Sequence, residues 1–399
     1  MTRSPAEPVP AELRRARAAV AGCFFVNAVL YANVVPRLPE VKAELGLSNS
    51  SLGAALAGVP LGALLAGLSS AVLIRRFGSR AVATGGLVLL AAAVWGVSLA
   101  PNWPALAAVF LFVGALDAIV DVAQNAHGLR VQRLYRRSIL NAFHGIWSIG
   151  AVAGGLLGSV AAGLEIPLVV HLGVAAAVFA VVALVGGRAL LRGPDDADRA
   201  PTTEPPPGGR SVRRAAVPAL AALGVLAICG AFVEDAGASW SALYLRTELD
   251  TGAATAGLAF VALSVAMTVG RLTGDRVVDR FGQRAVVRAG GAVTAAGMGL
   301  ALAVPSVPTT LIGFALAGLG VATLIPAVYH AADEIPGLAA GSGLTVINWL
   351  LRIGFLLSPL LIGVLADATS LRVALLTVVL AGLGALLLGG RLRTTIAAE

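Results

Sequence analysis

The sequence predicts an all-α membrane protein of twelve transmembrane helices arranged as two pseudo-symmetric six-helix bundles. Three observations predict it. Hydrophobic residues make up 58% of the 399 and charged residues only 13%, with a mean hydropathy of +0.88, a balance that calls for lipid as solvent. At roughly 20 apolar residues per span, a chain of this length holds about twelve spans. Short matches also recur between the two halves at one offset of 204 residues. A β-barrel is excluded by unbroken apolar runs such as 151–163 and 373–390, which lack period-two alternation.

Turn residues and charges place the first six spans near 18–36, 51–74, 81–100, 105–127, 139–163 and 167–187. The second six fall near 215–244, 255–274, 286–304, 309–330, 338–365 and 371–390. With the N-terminus in the cytoplasm, the inner loops receive Arg75, Arg76 and Arg80, then Arg130, Arg133, Arg136 and Arg137, then Arg276, Arg280, Arg284 and Arg288. The outer side keeps only Arg37, Lys42, Arg246 and Arg372. This is the asymmetry of the positive-inside rule, so the net charge of +8 reflects topology and not a nucleic-acid partner. The expected location is the plasma membrane, multi-pass, with both termini cytoplasmic. The polar residues 1–17 lead into an apolar run with no cleavage site, which reads as a retained first span. Cys23 and Cys229 each sit in an apolar stretch and read as packing residues, with neither a disulfide framework nor a metal site.

Residues 193–213 cannot bury apolar surface or remain helical through Pro205, Pro206 and Pro207. They read as a flexible cytoplasmic linker between an N-terminal bundle, 1–192, and a C-terminal bundle, 214–399. Across that linker Arg76-Phe77-Gly78-Ser79-Arg80-Ala81-Val82 returns as Arg280-Phe281-Gly282-Gln283-Arg284-Ala285-Val286. The same offset relates Pro101 and Pro104 to Pro305 and Pro308, and Ile149-Gly150 to Ile353-Gly354. Three separated matches imply an internal duplication of six plus six helices, with a binding site between the halves near midplane.

The run Gly270-Arg271-Leu272-Thr273-Gly274-Asp275-Arg276-Val277-Val278-Asp279-Arg280-Phe281-Gly282-Gln283-Arg284 resembles the loop signature of the major facilitator superfamily, between the eighth and ninth spans. The first copy is degraded: Arg75 stands at the aspartate position and Ser70 at that of the second glycine. Asp121, His144-Gly145, and Glu234 followed by Trp240 resemble the rhizopine-transport-like branch of that superfamily. The resemblance implies the major facilitator fold and a secondary transporter without naming the cargo. It assigns Asp275, Asp279, Arg280 and Gly282 to gating, with Asp279 near the start of the fifth span and Arg136 or Arg137. The fifth span reads Gly150-Ala-Val-Ala-Gly154-Gly155-Leu-Leu-Gly158, without the proline that drug exporters of the superfamily carry there.

Ionisable groups at membrane depth are costly and therefore point to function. Asp117 and Asp121 lie one turn apart in the fourth span and form a polar stripe with Gln124 and Asn125. Two carboxylates so close in a low dielectric are hard to ionise together, which makes one a candidate proton carrier; paired structural acids are the other reading. Glu234 and Asp235 occupy the outer part of the seventh span and Arg352 the middle of the eleventh. In the arrangement the resemblance implies, Arg352 faces acids of both halves, as a substrate ligand, a switchable counter-ion or one member of a permanent pair. Of the four histidines, His144 is the candidate relay, one turn after Asn141. Asn27, Tyr31 and Asn33 in the first span are candidates to hydrogen-bond a hydroxylated solute. Asn125, Asp235 and Arg352 are candidates for polar contact, and Trp240 with Tyr244 for stacking, with packing an equal reading of these aromatics. Gly58-x-x-x-Gly62 and Gly150-x-x-x-Gly154-x-x-x-Gly158 read as close-packing motifs, and Pro60, Pro326 and Pro359 as kinks.

The expected function is alternating-access transport of a small polar solute, polyol-like or amino-sugar-like, coupled to protons. The partners are that solute, protons and the bilayer, and the chain is expected to work as a monomer without a cofactor. One alternative is an exporter of amphipathic drugs or metabolites, which calls for an aromatic cavity. The other is a non-transporting membrane sensor, for which the short tail 391–399 offers no output domain. An enzyme is not expected, since no H-E-x-x-H, G-x-S-x-G or phosphate loop is present.

Overall fold

The computed structural model describes residues 10–135, 139–193, 210–333, 335 and 342–392. Among them, 12 helices are long and apolar enough to cross a membrane. The first six are Ala11–Ala32, Asn49–Leu56 with Gly58–Phe77, Ser79–Gly96, Trp103–Tyr135, Leu140–Gly163 and Leu168–Gly187. The second six are Arg210–Glu248, Ala253–Phe281, Gln283–Ala303, Val307–Val321 with Leu324–Asp333, Ser342–Ala368, and Leu371–Ala374 with Leu376–Leu388. The protein is a multi-pass membrane protein. Helix begins at Arg210, so the last four residues of the expected linker, 210–213, are helical and lead into the seventh span, Val217–Glu248. Residues 194–209 lie outside the described residues, as do Arg136 and Arg137.

Proline sets two of the helix breaks. The second span is interrupted at Ala57 and the tenth at Ala322 and Thr323. Pro60 and Pro326 have no N–H for the carbonyls of Leu56 and Ala322 four residues earlier, and their rings crowd those carbonyls. Pro359 is carried inside a continuous eleventh helix. At the linker end, Gly78 and Gly282 each adopt φ +79°, turning the chain between the second and third spans and between the eighth and ninth. Only glycine takes that conformation without strain. They lie 204 residues apart, as do Arg76 and Arg280, whose guanidinium groups sit over Phe77 and Phe281 at 5.3 and 5.6 Å.

The first and fifth spans pack backbone to backbone. A Cβ on Gly150, Gly154 or Gly158 would lie 2.6 Å from the carbonyl oxygens of Phe25, Val29 and Asn33 in turn. Gly58 and Gly62 make the same approach to the fourth span at Ala107 and Leu111. Close backbone contact replaces the hydrophobic drive that lipid removes. Gly154→Leu is therefore expected to force the first span off the fifth, at about 1–3 kcal/mol or more for overpacking, and to abolish the monodisperse peak in size-exclusion chromatography. Gly85→Leu, at a site with nothing within 4 Å, should leave that peak unchanged.

At the end opposite the linker, the distal end, the two halves meet. The short helices Val35–Arg37 and Leu38–Glu44 continue the first span there and pack on the seventh and eighth. The fifth span lies along the eighth, where Gly155 faces Phe260 and Gly163 faces Ala254. The eleventh packs far more on Asn49–Leu56 than on the linker-side part of the second span. Asp367 accepts the backbone N–H groups of Asn49 at 2.9 Å and Ser50 at 2.8 Å. A carboxylate of one half thus caps a helix N-terminus of the other, where the helix dipole favours negative charge.

Candidate functional site

Beneath this distal seal lies a cavity of about 380 Å³, in the range of small-molecule sites. The first, fourth and fifth spans supply Asn27, Tyr31, Asp117 and Trp147, and the seventh, eighth and eleventh supply Glu234, Asp235, Arg271 and Arg352. The remaining wall is mostly apolar and includes Phe260 and Phe355.

Asn27 is engaged on both sides. Its Nδ2 donates to Asp117 Oδ1 at 2.7 Å, and its Oδ1 accepts from Trp147 Nε1 at 2.9 Å. A chain of two hydrogen bonds thus joins the first, fourth and fifth spans and fixes how Asp117 is presented. Tyr31 lies one turn further along the first span, within electrostatic reach of both Asp117 and Asp235. It stands between an acid of each half. Asp235 accepts from Ser239 Oγ at 3.1 Å and has the Ser358 hydroxyl nearby, while its Oδ2 is buried and makes no hydrogen bond of good geometry. A buried carboxylate oxygen without a donor is costly, and this one belongs to a residue that lines the cavity.

The fourth-span stripe divides between two levels. Asp117 lines the cavity, whereas Asp121, one turn toward the linker end, does not. Asp121 accepts from Asn125 Nδ2 at 2.9 Å and Gln124 Nε2 at 3.4 Å, both on its own helix. Asn125 also bonds the Asp121 carbonyl and stays off the cavity wall. His144 is exposed, packs edge-on to Phe24 at 5.2 Å and interacts electrostatically with Asp121 and Arg271. Arg352 acts electrostatically on both Asp117 and Asp121 but forms no hydrogen bond or ion pair with a described residue.

Glu234 pairs with Arg271 of the eighth span at 3.1 Å, with side chains 21% and 31% exposed. Arg352, expected to face acids of both halves, lines the same cavity but is not the ion-pair partner of Glu234. Glu234 lies past the centre of the helix Arg210–Glu248 toward its outer end, at the level of the arginine inside the loop signature.

Besides Asn125, three expected ligands stand away from the cavity. Asn33 donates to the Val29 carbonyl at 2.6 Å and meets His171 at 3.0 Å. Trp240 is 0% exposed and packs at the distal seam beside Gly53, and Tyr244 is buried a turn beyond. Of the four gating candidates, Asp275 and Asp279 are exposed at the linker end with no hydrogen-bond or ion-pair partner among the described residues. Arg280 stacks on Phe281 and Gly282 makes the turn. Trp147 and Arg271 were missed by sequence reasoning. The signals for them were an indole one turn from His144 and a guanidinium between two glycines inside an apolar helix.

Comparison with known proteins gives a consistent result. The model of the Major Facilitator Superfamily matches residues 20–244 and 220–397. An uncharacterised MFS-type transporter of Yersinia pestis is 31% identical, covering 88% of this chain and 89% of the relative. Membrane protein MosC of Rhizobium meliloti is 29% identical over 91% and 87% of the two chains. Among solved structures, the nucleoside transporter NupG superposes with a TM-score of 0.75 at 12% identity, covering 96% and 99%.

Proposed function

The chain belongs to the Major Facilitator Superfamily and is a secondary transporter, and from that premise we propose that it carries a small polar solute through the 380 Å³ cavity by proton-coupled alternating access. The carrying observation is the set of ionisable groups that both halves present to one cavity: Asp117 held by Asn27, Asp235 with an unpartnered oxygen, and unpaired Arg352. A solute with donors and acceptors satisfies these groups, and rocking of the halves about it exposes the site at each end in turn. With the arginine-rich linker end in the cytoplasm of a plasma membrane, the conformation closed at the distal end is inward-facing.

Three further groups are assigned roles. Asp121 takes the coupling proton, with His144 as its relay toward the linker end and Arg352 as the counter-charge. Tyr31 and Asp235 hydrogen-bond the solute, and Trp147 stacks on its apolar face. The exposed acids Asp275 and Asp279 act at the inner gate.

A thermal-shift screen of the purified protein against polyols, sugars, amino sugars, amino acids and cationic drugs tests the reading. A ligand that occupies the cavity raises the melting temperature by mass action. The gain should vanish in Asp235→Asn and shrink in Tyr31→Phe. Full retention of the gain in both variants would remove the cavity from the argument. The apolar wall with Phe260 and Phe355 supports the amphipathic-exporter reading instead if only cationic drugs stabilise the protein.

A further inference from the structure

Away from the cavity, at the distal end of the N-terminal half, a partly buried polar network joins the first span to the sixth. Arg37 is 1% exposed. Its Nε and Nη2 donate to Glu40 at 2.6 and 2.8 Å, and Nη2 also donates to the Ile166 carbonyl at 2.7 Å. Its Nη1 faces His171 Nδ1 at 3.2 Å, and His171 Nε2 faces Asn33 Oδ1 at 3.0 Å.

These contacts leave His171 one protonation state. The Val29 carbonyl, which also takes the Asn33 backbone N–H at 3.2 Å, can only accept, so the Asn33 side-chain atom 2.6 Å from it is Nδ2 and the amide turns its oxygen to His171. That oxygen needs a donor in turn, so Nε2 carries a hydrogen. A guanidinium has only donors, so Nδ1 must accept. His171 is therefore neutral, protonated on Nε2 alone. A second proton on Nδ1 would set donor against donor and two cations 3.2 Å apart. Arg37 and Glu40, both on the continuation of the first span, are the charged groups acting on this ring.

The network holds a piece of the distal seal. Pro36, next to Arg37, lies against Gly158 of the fifth span and Gly257 of the eighth. A Cβ on those glycines would come within 3.0 and 2.8 Å of its ring. Pro36 thus fills the seam between the halves, and Arg37 anchors it through His171 and Ile166.

We propose that His171 is a second protonation site of the transporter, separate from the cavity, and that its protonation frees Arg37 and Pro36 and so opens the distal seam. The sign follows from the contacts. The closed seam needs neutral His171, so acid at the distal end favours opening, in the pH range where histidine titrates.

The test is pulsed EPR on detergent-purified protein lacking Cys23 and Cys229, with nitroxides at Leu99 and Val304, exposed distal positions in opposite halves. Between about pH 7.5 and 4.5 the long-distance population should grow several-fold, the change falling at and below the pH at which a free histidine titrates. His171→Gln, whose amide can accept from Arg37 and donate to Asn33 but cannot take a proton, should keep the short distance throughout. Asp121→Asn and Glu40→Gln should each retain the pH response. A flat response without these substitutions overturns the proposal, and so does an unchanged response in folded His171→Gln. Loss of the response in Asp121→Asn would assign it to the fourth-span acid, and loss in Glu40→Gln to that carboxylate; either result equally overturns it.

Discussion

Glu234→Gln is expected to abolish transport and to destabilise the protein, because it leaves the Arg271 guanidinium as a lone charge at membrane depth. The two side chains are 3.1 Å apart and only 21% and 31% exposed. A single cation at the centre of a span costs about 2.5–3.5 kcal/mol on insertion scales, and water in the cavity lowers this only in part. Arg271→Gln strands the carboxylate instead and should cost a similar amount. The double variant removes both charges, so its melting temperature should return most of the way to that of the unsubstituted protein, since buried pairs add little net stability over neutral partners. Transport should stay lost in the double variant, because the electrostatic link from Arg271 to His144 is gone. Melting curves and vesicle uptake on the three variants check this. Equal stability of all three would mean that the cavity hydrates these groups and that the pair is not structural.

The spans were legible because lipid admits only helices, and each apolar run between turns and arginines is a helix wherever it is long enough. The helix breaks at Ala57 and at Ala322–Thr323 were legible as kinks at Pro60 and Pro326, though not as full interruptions. Membrane depth also singled out Asp117, Asp121, Glu234, Asp235 and Arg352, since a charge there needs a reason.

What could not be read was pairing. Helical periodicity tells which residues share a face but not which neighbouring helix that face meets, so the pairing of Glu234 with Arg271 of the adjacent span could not be read from it. The same limit hid the bond from Trp147 to Asn27, which crosses 120 residues of sequence. Asn33 stands away from the cavity for a local reason. The helix ends at Ala32, and the chain passes into the short turn Val35–Arg37, which points the amide to His171 and away from the cavity. For Trp240, tryptophan in a span is equally suited to packing and to ligand contact, and only the neighbouring Gly53 shows that it fills the distal seam.

Asp121→Asn is expected to abolish accumulation driven by a pH gradient while sparing substrate binding and gradient-free exchange. Asparagine keeps the acceptor oxygen that meets Asn125 and Gln124 but can neither lose nor gain the proton. The side chain stands off the cavity wall, so the contacts of a bound solute with Asp117, Tyr31 and Asp235 are untouched. Its removal also changes the surroundings of Arg352, which acts on both acids yet bonds neither. In the proposed cycle Arg352 stabilises ionised Asp121 in one state. Movement of the halves that draws the guanidinium toward a substrate anion or Asp117 weakens that stabilisation, and a proton then binds. The variant is locked in the proton-loaded condition, so net flux should fall to the passive level, a loss of at least tenfold in vesicles with an imposed gradient, while counterflow of labelled solute continues. Arg352→Gln should give the opposite imbalance, with weaker solute binding and no counterflow. If Asp121→Asn vesicles still concentrate solute with unchanged pH dependence, the proton is carried elsewhere, and Asp117, with its hydrogen bond from Asn27, becomes the carrier to test.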